Sequence, residues 1–227
     1  MQKYIENPLL VLNKKFDIRQ WVLVTSWNPL TVWFYERCYC RFGVEDFSFE
    51  NISNLYAHLT NNSIVKHADN FYCTEIEGSM WHSEEFAEFL REKEGWDVWE
   101  TRIKKKLRKI VIWSLQCAQD MVNHRKNSFE LYGYDFMVDE DYNAWLIEIN
   151  KSPAMDYSTP VTKTLVKQVL EDCIKVVIDY QQAPDRAKSK VDTSQFQLIH
   201  RAPRAVERPI QAMGVSLLCE GKAIKRP

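Results

Sequence analysis

Glycine is scarce in this sequence: Gly43, Gly78, Gly95, Gly133, Gly214 and Gly221 are all there are, and they lie far apart. No cluster of them can form a loop that cradles a phosphate with backbone N–H groups. The six cysteines, Cys38, Cys40, Cys73, Cys117, Cys173 and Cys219, contain no CxxC pair and no histidine at zinc spacing. They read as free cytosolic thiols. No uncharged apolar run is long enough to cross a bilayer, and no charged-then-apolar leader opens the chain, so a cytoplasmic protein without a membrane partner is expected. A formal net charge of −1 argues against wholesale nucleic-acid binding. Internal repeats and low-complexity tracts are absent too. What is abundant is hydrophobicity: 45% of 227 residues, with eight tryptophans, is enough to bury a sizeable core.

The most informative stretch is YGYDFMVDEDYNAWLIEIN, from Tyr132 to Asn150. Two short runs rich in β-branched and aromatic residues flank a polar DEDYN cluster, which predicts a β-hairpin. Setting Asp135 opposite Glu148 pairs Met137 with Leu146 and Asp139 with Ala144, leaving a four-residue loop from Glu140 to Asn143. Alternation then puts Asp135, Glu148 and Asn150 on one face, with Gly133 opposite Asn150. Tyr134, Phe136, Val138, Trp145, Ile147 and Ile149 take the core face. Two carboxylates and an amide oxygen that converge repel one another unless a cation lies between them, and magnesium favours such hard oxygens. The alternative is a solvated Asp135 and a Glu148 paired with a basic side chain.

Elsewhere the pattern predicts strands at Lys3–Glu6 and over KKFDIRQWVLVTS. In the latter, Lys15, Asp17, Arg19, Trp21 and Leu23 alternate with Phe16, Ile18, Gln20, Val22 and Val24. Asp17 between two cations fits a cross-strand ion-pair ladder or a site for ribose and phosphate. LTVWFYERCYCRFG should pair with that strand and ends near Arg41, which by itself reads as a solvent arginine at a strand end. Helices are expected at Asn51–His58, with Asn51 as cap and Ile52, Leu55, Tyr56 and Leu59 as its stripe, and at Ser83–Glu92 with Phe86, Phe89 and Leu90 inward. Thr101–Lys126 should be a long amphipathic helix whose KKKLRK run lies on the outer face. That run is a solvated face or a docking patch for an acidic partner. A further helix should start at Ser158-Thr159-Pro160 and use Leu165, Val166, Val169, Leu170, Cys173, Ile174 and Val177 to cover a sheet. Residues 183–227 read as a basic, disordered tail behind a domain of residues 1–182.

Several strings in this chain resemble the tubulin–tyrosine-ligase-like family of ATP-grasp ligases: QKYIE, KFDIR, LTNNSIVK, and EIN followed by SP. Asn62 and WNPLTVWFY resemble the glycine-adding branch. The resemblance covers residues 2 to 180. It implies an α+β fold, the C-terminal lobe of an ATP-grasp ligase, with a mainly antiparallel sheet backed by helices. It further implies ATP and magnesium as cofactors, with the metal on Asp135, Glu148 and Asn150. Gln2, Lys3, Tyr4 and Ile5 would meet the adenine, and Lys15, Asp17, Thr60 and Asn61 the rest of the nucleotide. Arg19, Arg41 and Lys66 would be catalytic, while Asn62, Ser63, Lys66 and Lys151 would face the amino acid. The implied reaction phosphorylates a protein glutamate to an acyl phosphate, which the amine of glycine attacks. Tubulin's acidic tails and microtubules are the implied partners, the protein acting as a monomer in cytoplasm, cytoskeleton and cilium. Glutamate addition by the same fold, or a non-catalytic tubulin-binding fragment, are the rivals. An ATP-grasp site needs two lobes, so the chain is expected to be part of a longer catalytic domain and a poor ligase by itself.

Overall fold

A computed structural model describes residues 3–71 and 75–206. The expected Gln2 contact, Cys73, Cys219 and the basic residues beyond 206 lie outside the described residues. The fold is α+β, organised on one long strand, β2 (Lys14–Trp27). β1 (Leu10–Val11) turns into it, and along one edge β2 pairs first with β4 (Tyr39–Phe42) and then with β3 (Leu30–Tyr35). Along its other edge runs β6 (Glu130–Val138), which carries β7 (Ala144–Asn150) outside it. β5 (Met80–His82) extends the sheet beyond β4, and β8 (Phe196–Arg201) extends it beyond β3. Every pairing is antiparallel.

The alternation expected for β2 holds, and it divides the interior in two. Phe16, Ile18, Val22 and Val24 enter one core with Phe34, Tyr134 and Phe136, while Trp21 and Leu23 enter a second with Trp33 and Tyr35. The first core is covered by α3 (Ser83–Glu94) and α4 (Lys104–Ala118), which contribute Phe86, Leu90, Leu107, Val111 and Leu115. The second is covered by α5 (Pro160–Ile174), through Val161, Leu165, Val166, Val169 and Cys173. Thr159 caps α5 and Pro160 occupies its first turn, as the sequence predicts.

Several expectations are corrected. Lys3–Glu6 forms no strand; Lys3 pairs with Glu6 at 3.5 Å in open solvent. The helix expected at Asn51–His58 shrinks to a single turn, α1 (Leu55–His58), because Asn51 and Asn54 each accept a bond from the backbone N–H two residues on. Ile52 and Leu55 are therefore exposed rather than inward. A second turn, Asn62–Val65, follows. The long helix reaches Ala118, not Lys126, and is entered through a π-helical turn, Trp99–Ile103. Leu170 and Ile174 of α5 face solvent, not the sheet.

The hairpin keeps the expected pairs Asp135–Glu148 and Gly133–Asn150, but Ile147 is an extra residue on β7. This bulge shifts the register, so Leu146 pairs with Phe136 and packs on the first core, while Trp145 stands half exposed with its indole N–H donating to Asp139. The region read as a disordered tail is ordered through β8: Phe196 is 2% exposed and stacks edge-on against Tyr35 at 4.8 Å. Cys38, Cys40, Cys117 and Cys173 are free thiols.

Candidate active site

Where the odd-numbered face of β2 emerges from under α5, its side chains become charged. The register sets Asp17 beside Arg41 of β4, and Arg19 between Tyr39 of β4 and Asp135 of β6. Asp135 accepts from Arg19 Nε at 2.5 Å and Nη2 at 3.1 Å, and from Arg41 Nη2 at 2.9 Å. Asp17 accepts from Arg41 Nε at 2.8 Å and from its Nη2. All four residues are at most 9% exposed. Two guanidiniums thus balance two carboxylates, and each arginine uses only Nε and Nη2 on them. Burial raises the Asp135 carboxyl, but the bond from Arg19 and the charges of Arg41 and Arg19 outweigh it and hold it below its ordinary value. Asp17, by the same geometry, is the centre of a cross-strand ion pair, and both its oxygens are engaged.

Gly133 makes the arrangement possible. A Cβ there would lie 2.7 Å from Pro153 Cβ and 3.3 Å from Arg19 Cδ, so only glycine lets the Ser-Pro loop after β7 and the Arg19 stem close over β6.

Beside the cluster is a cavity of about 580 Å³. Arg19, Tyr39 and Arg41 form its floor; Asn61, Asn62, Ser63 and Lys66 come from the short helix α2 (Asn62–Val65) and its two flanks; Glu148 and Asn150 come from β7. Met80, Ser152, Ala154, Asp156, Ser158 and Thr162 complete the wall. The expected residues Arg19, Arg41, Lys66, Asn61, Asn62, Ser63, Glu148 and Asn150 are therefore brought together. Asp135 lies beneath them, its Oδ2 3.5 Å from Asn150 Nδ2. Thr60 is buried outside this lining, and Lys151 turns to the surface, 3.9 Å from Glu130. Tyr39, Met80 and the loop 152–158 were not expected. The Ser-Pro string signalled the loop, but nothing local signals Tyr39 or Met80.

A second cluster forms on the same sheet end. Lys15 Nζ donates to Tyr4 Oη and to the His58 carbonyl, each at 3.0 Å, and Tyr4 Oη lies 2.7 Å from His58 Nδ1. Burial pushes the Lys15 ammonium below its ordinary pKa, and Asp17 partly opposes this. Lys3, Tyr4 and Ile5 line a separate cavity of about 220 Å³ with Asp139 and Trp145.

The donor set suits magnesium in part. Glu148 is exposed at the cavity, and Asn150 turns its Nδ2 to Glu148 Oε1 at 3.0 Å, leaving its carbonyl oxygen without a donor among the described residues. Those two oxygens fit a hard cation. Asp135 is different, since the cation beside it is guanidinium. Among the described residues no three His, Cys, Asp or Glu side chains converge on a metal-sized point.

The antiparallel sheet backed by helices, with buried Asp–Arg pairs on one face and a Glu-x-Asn hairpin beside them, is consistent with the ATP-grasp-like domain that the resemblance implies. A model of the tubulin-tyrosine ligase family matches residues 1–189, and the chain belongs to that family. It is 50% identical over 230 residues to tubulin glycylase 3C of Tetrahymena thermophila, aligning in full with 21% of that protein. It is 48% identical over 230 residues to human tubulin monoglycylase TTLL3, again in full and with 29% of the relative, and 45% identical over 233 residues to mouse protein monoglycylase TTLL8, in full and with 27%. The chain thus spans under a third of the curated relatives it matches.

Proposed function

We propose that this chain forms the acceptor half of the active site of an ATP- and magnesium-dependent protein–glycine ligase that modifies glutamate side chains of tubulin tails. One observation carries the reading: Arg19, Arg41, Asn62, Ser63, Lys66, Glu148 and Asn150, drawn from four separate stretches of sequence, line a single cavity. Glycine as the amino acid rests on the names of relatives 42–50% identical to this chain, and tubulin as the acceptor on those 44–50% identical. Magnesium–ATP, when bound, supplies the phosphoryl group that activates a carboxylate. Glu148 and Asn150 would hold the metal, with Asp135 directly beneath them, its Oδ2 3.5 Å from Asn150 Nδ2. Arg19 and Arg41, fixed by their aspartates, present their remaining N–H groups to the charge on phosphoryl or carboxylate oxygens. Preorganised donors of this kind lower a barrier without reorganising during the reaction. Tyr4, Ile5 and the cavity they line would take the adenine, and Lys15 and Asn61 would steady the nucleotide.

Glutamate transfer is a second reading, favoured by Lys66, a cation in the cavity with no carboxylate partner among the described residues. The rival of a non-catalytic binder leaned on the basic run, and that run is largely consumed internally. Lys104 lies 2.7 Å from both Glu36 and Glu100, Arg108 2.7 Å from Glu36, and Lys106 donates to the Tyr142 carbonyl and Asn143. Only Lys105 and Lys109 stay exposed. A monomer working on microtubules in the cytoplasm and the ciliary axoneme completes the proposal. The test is to incubate tubulin with a full-length protein that carries this chain and the second lobe, magnesium, ATP and either glycine or glutamate, and read the tails by mass spectrometry. Glycyl additions that need ATP are expected. Glutamyl additions would support the second reading, and tails unchanged with both amino acids would overturn the ligase.

A further inference from the structure

The cavity holds two polar groups of opposite character that no protein group satisfies among the described residues. Tyr39 is 4% exposed and packs its ring on Trp21, centroids 5.4 Å apart, yet it lines the cavity, and its hydroxyl has no hydrogen-bond partner among the described residues. Its cross-strand neighbour is Arg19. Asn62, also in the lining, has a buried Oδ1 with no partner among the described residues. A buried acceptor without a partner and a hydroxyl that opens to the same cavity point to a ligand that can donate to one and accept from the other. A free amino acid is such a ligand: its carboxylate accepts, and its ammonium donates.

We infer that Tyr39 is a binding residue for the carboxylate of the amino-acid co-substrate, with Asn62 Oδ1 receiving its amine. The inference rests on the ligase reading and deepens it. Arg19 and Arg41 stay committed to Asp135 and Asp17 through Nε and Nη2, so Tyr39 adds a neutral donor beside them that needs no counter-charge. Burial raises the pKa of its hydroxyl, so it remains a donor at neutral pH. Glycine has no side chain to displace Met80 or Thr162, which also line the cavity.

The test is calorimetric binding of glycine and of glycinamide, which keeps the amine but lacks the carboxylate, to the protein loaded with magnesium and a non-hydrolysable ATP analogue. Tyr39→Phe keeps the ring on Trp21 and removes only the hydroxyl. It should weaken glycine about tenfold or more, the worth of a hydrogen bond to a charged group, and leave glycinamide, the ATP analogue and the melting temperature unchanged. Asn62→Leu should weaken glycine and glycinamide alike. Equal glycine affinity in wild type and Tyr39→Phe, or a loss confined to the ATP analogue, would overturn the assignment while sparing the ligase reading. A wild-type protein that binds no amino acid would overturn both.

Discussion

The two faces of β2 are made by the same fourteen residues and serve opposite ends. On one, Phe16, Ile18, Val22 and Val24 pack against α3 and α4 beside a polar residue of the strand, Gln20, whose amide N–H donates to the Tyr35 and Trp21 carbonyls while its Oε1 has no partner among the described residues. On the other, apolar Trp21 and Leu23 give way within one turn of the pleat to Arg19 and Asp17. Both faces are buried there, yet their energetics differ. Burying apolar surface stabilises roughly in proportion to area. Burying an ion pair about breaks even, because desolvation offsets the attraction, but removing one partner strands the other. The charged face therefore adds little net stability and is intolerant of change, which is what a preorganised site requires.

That contrast can be broken at three points. On the apolar face, Phe136→Ala should cost about 3–5 kcal/mol in urea unfolding, as a fully buried ring is lost and a cavity left. A loss below about 1 kcal/mol would mean the first core is loosely packed. On the charged face, Asp135→Asn keeps the volume and removes the charge that two arginines share, and should cost about 3 kcal/mol. A neutral result would mean that the cluster is effectively solvated. The same group sets a pH dependence. Its folded pKa lies below the ordinary value, so its contribution is fully present above the unfolded pKa, about 4, and fades as pH falls through the folded one. The stability gap between wild type and Asp135→Asn should therefore narrow on acidification below about pH 4; a gap that widened there would reverse the sign of the assigned shift. The smallest effect on folding belongs to Glu148→Gln, which alters an exposed side chain and should shift stability by less than about 0.5 kcal/mol. Metal-dependent nucleotide binding should nonetheless be lost, and its retention would remove β7 from the metal site.

Much of this was legible in the chain. Period-two alternation places Asp17 and Arg19 on one face of β2 whatever covers it, and a hairpin of two β-prone runs brings Asp135 to Glu148 because both partners are local. The Thr-Pro start of α5 is likewise a matter of neighbouring atoms. The bulge at Ile147 was not legible, since it exists to send Leu146 into a core built by other elements, and β7 alone gives no reason to prefer Leu146 over Trp145. Lys104 looked like surface until the fold set Glu36 against it, a partner 68 residues away. Phe196–Arg201 looked like tail because a strand with a single partner, β3, shows its reason only when that partner's free edge is known. Local geometry is written in spacing, and so the sequence by itself determined which residues share a face. Long-range pairing decides which charges are satisfied, so only the tertiary structure could decide that Asp135 answers to two arginines and that Tyr39 and Asn62 answer to nothing within the described fold.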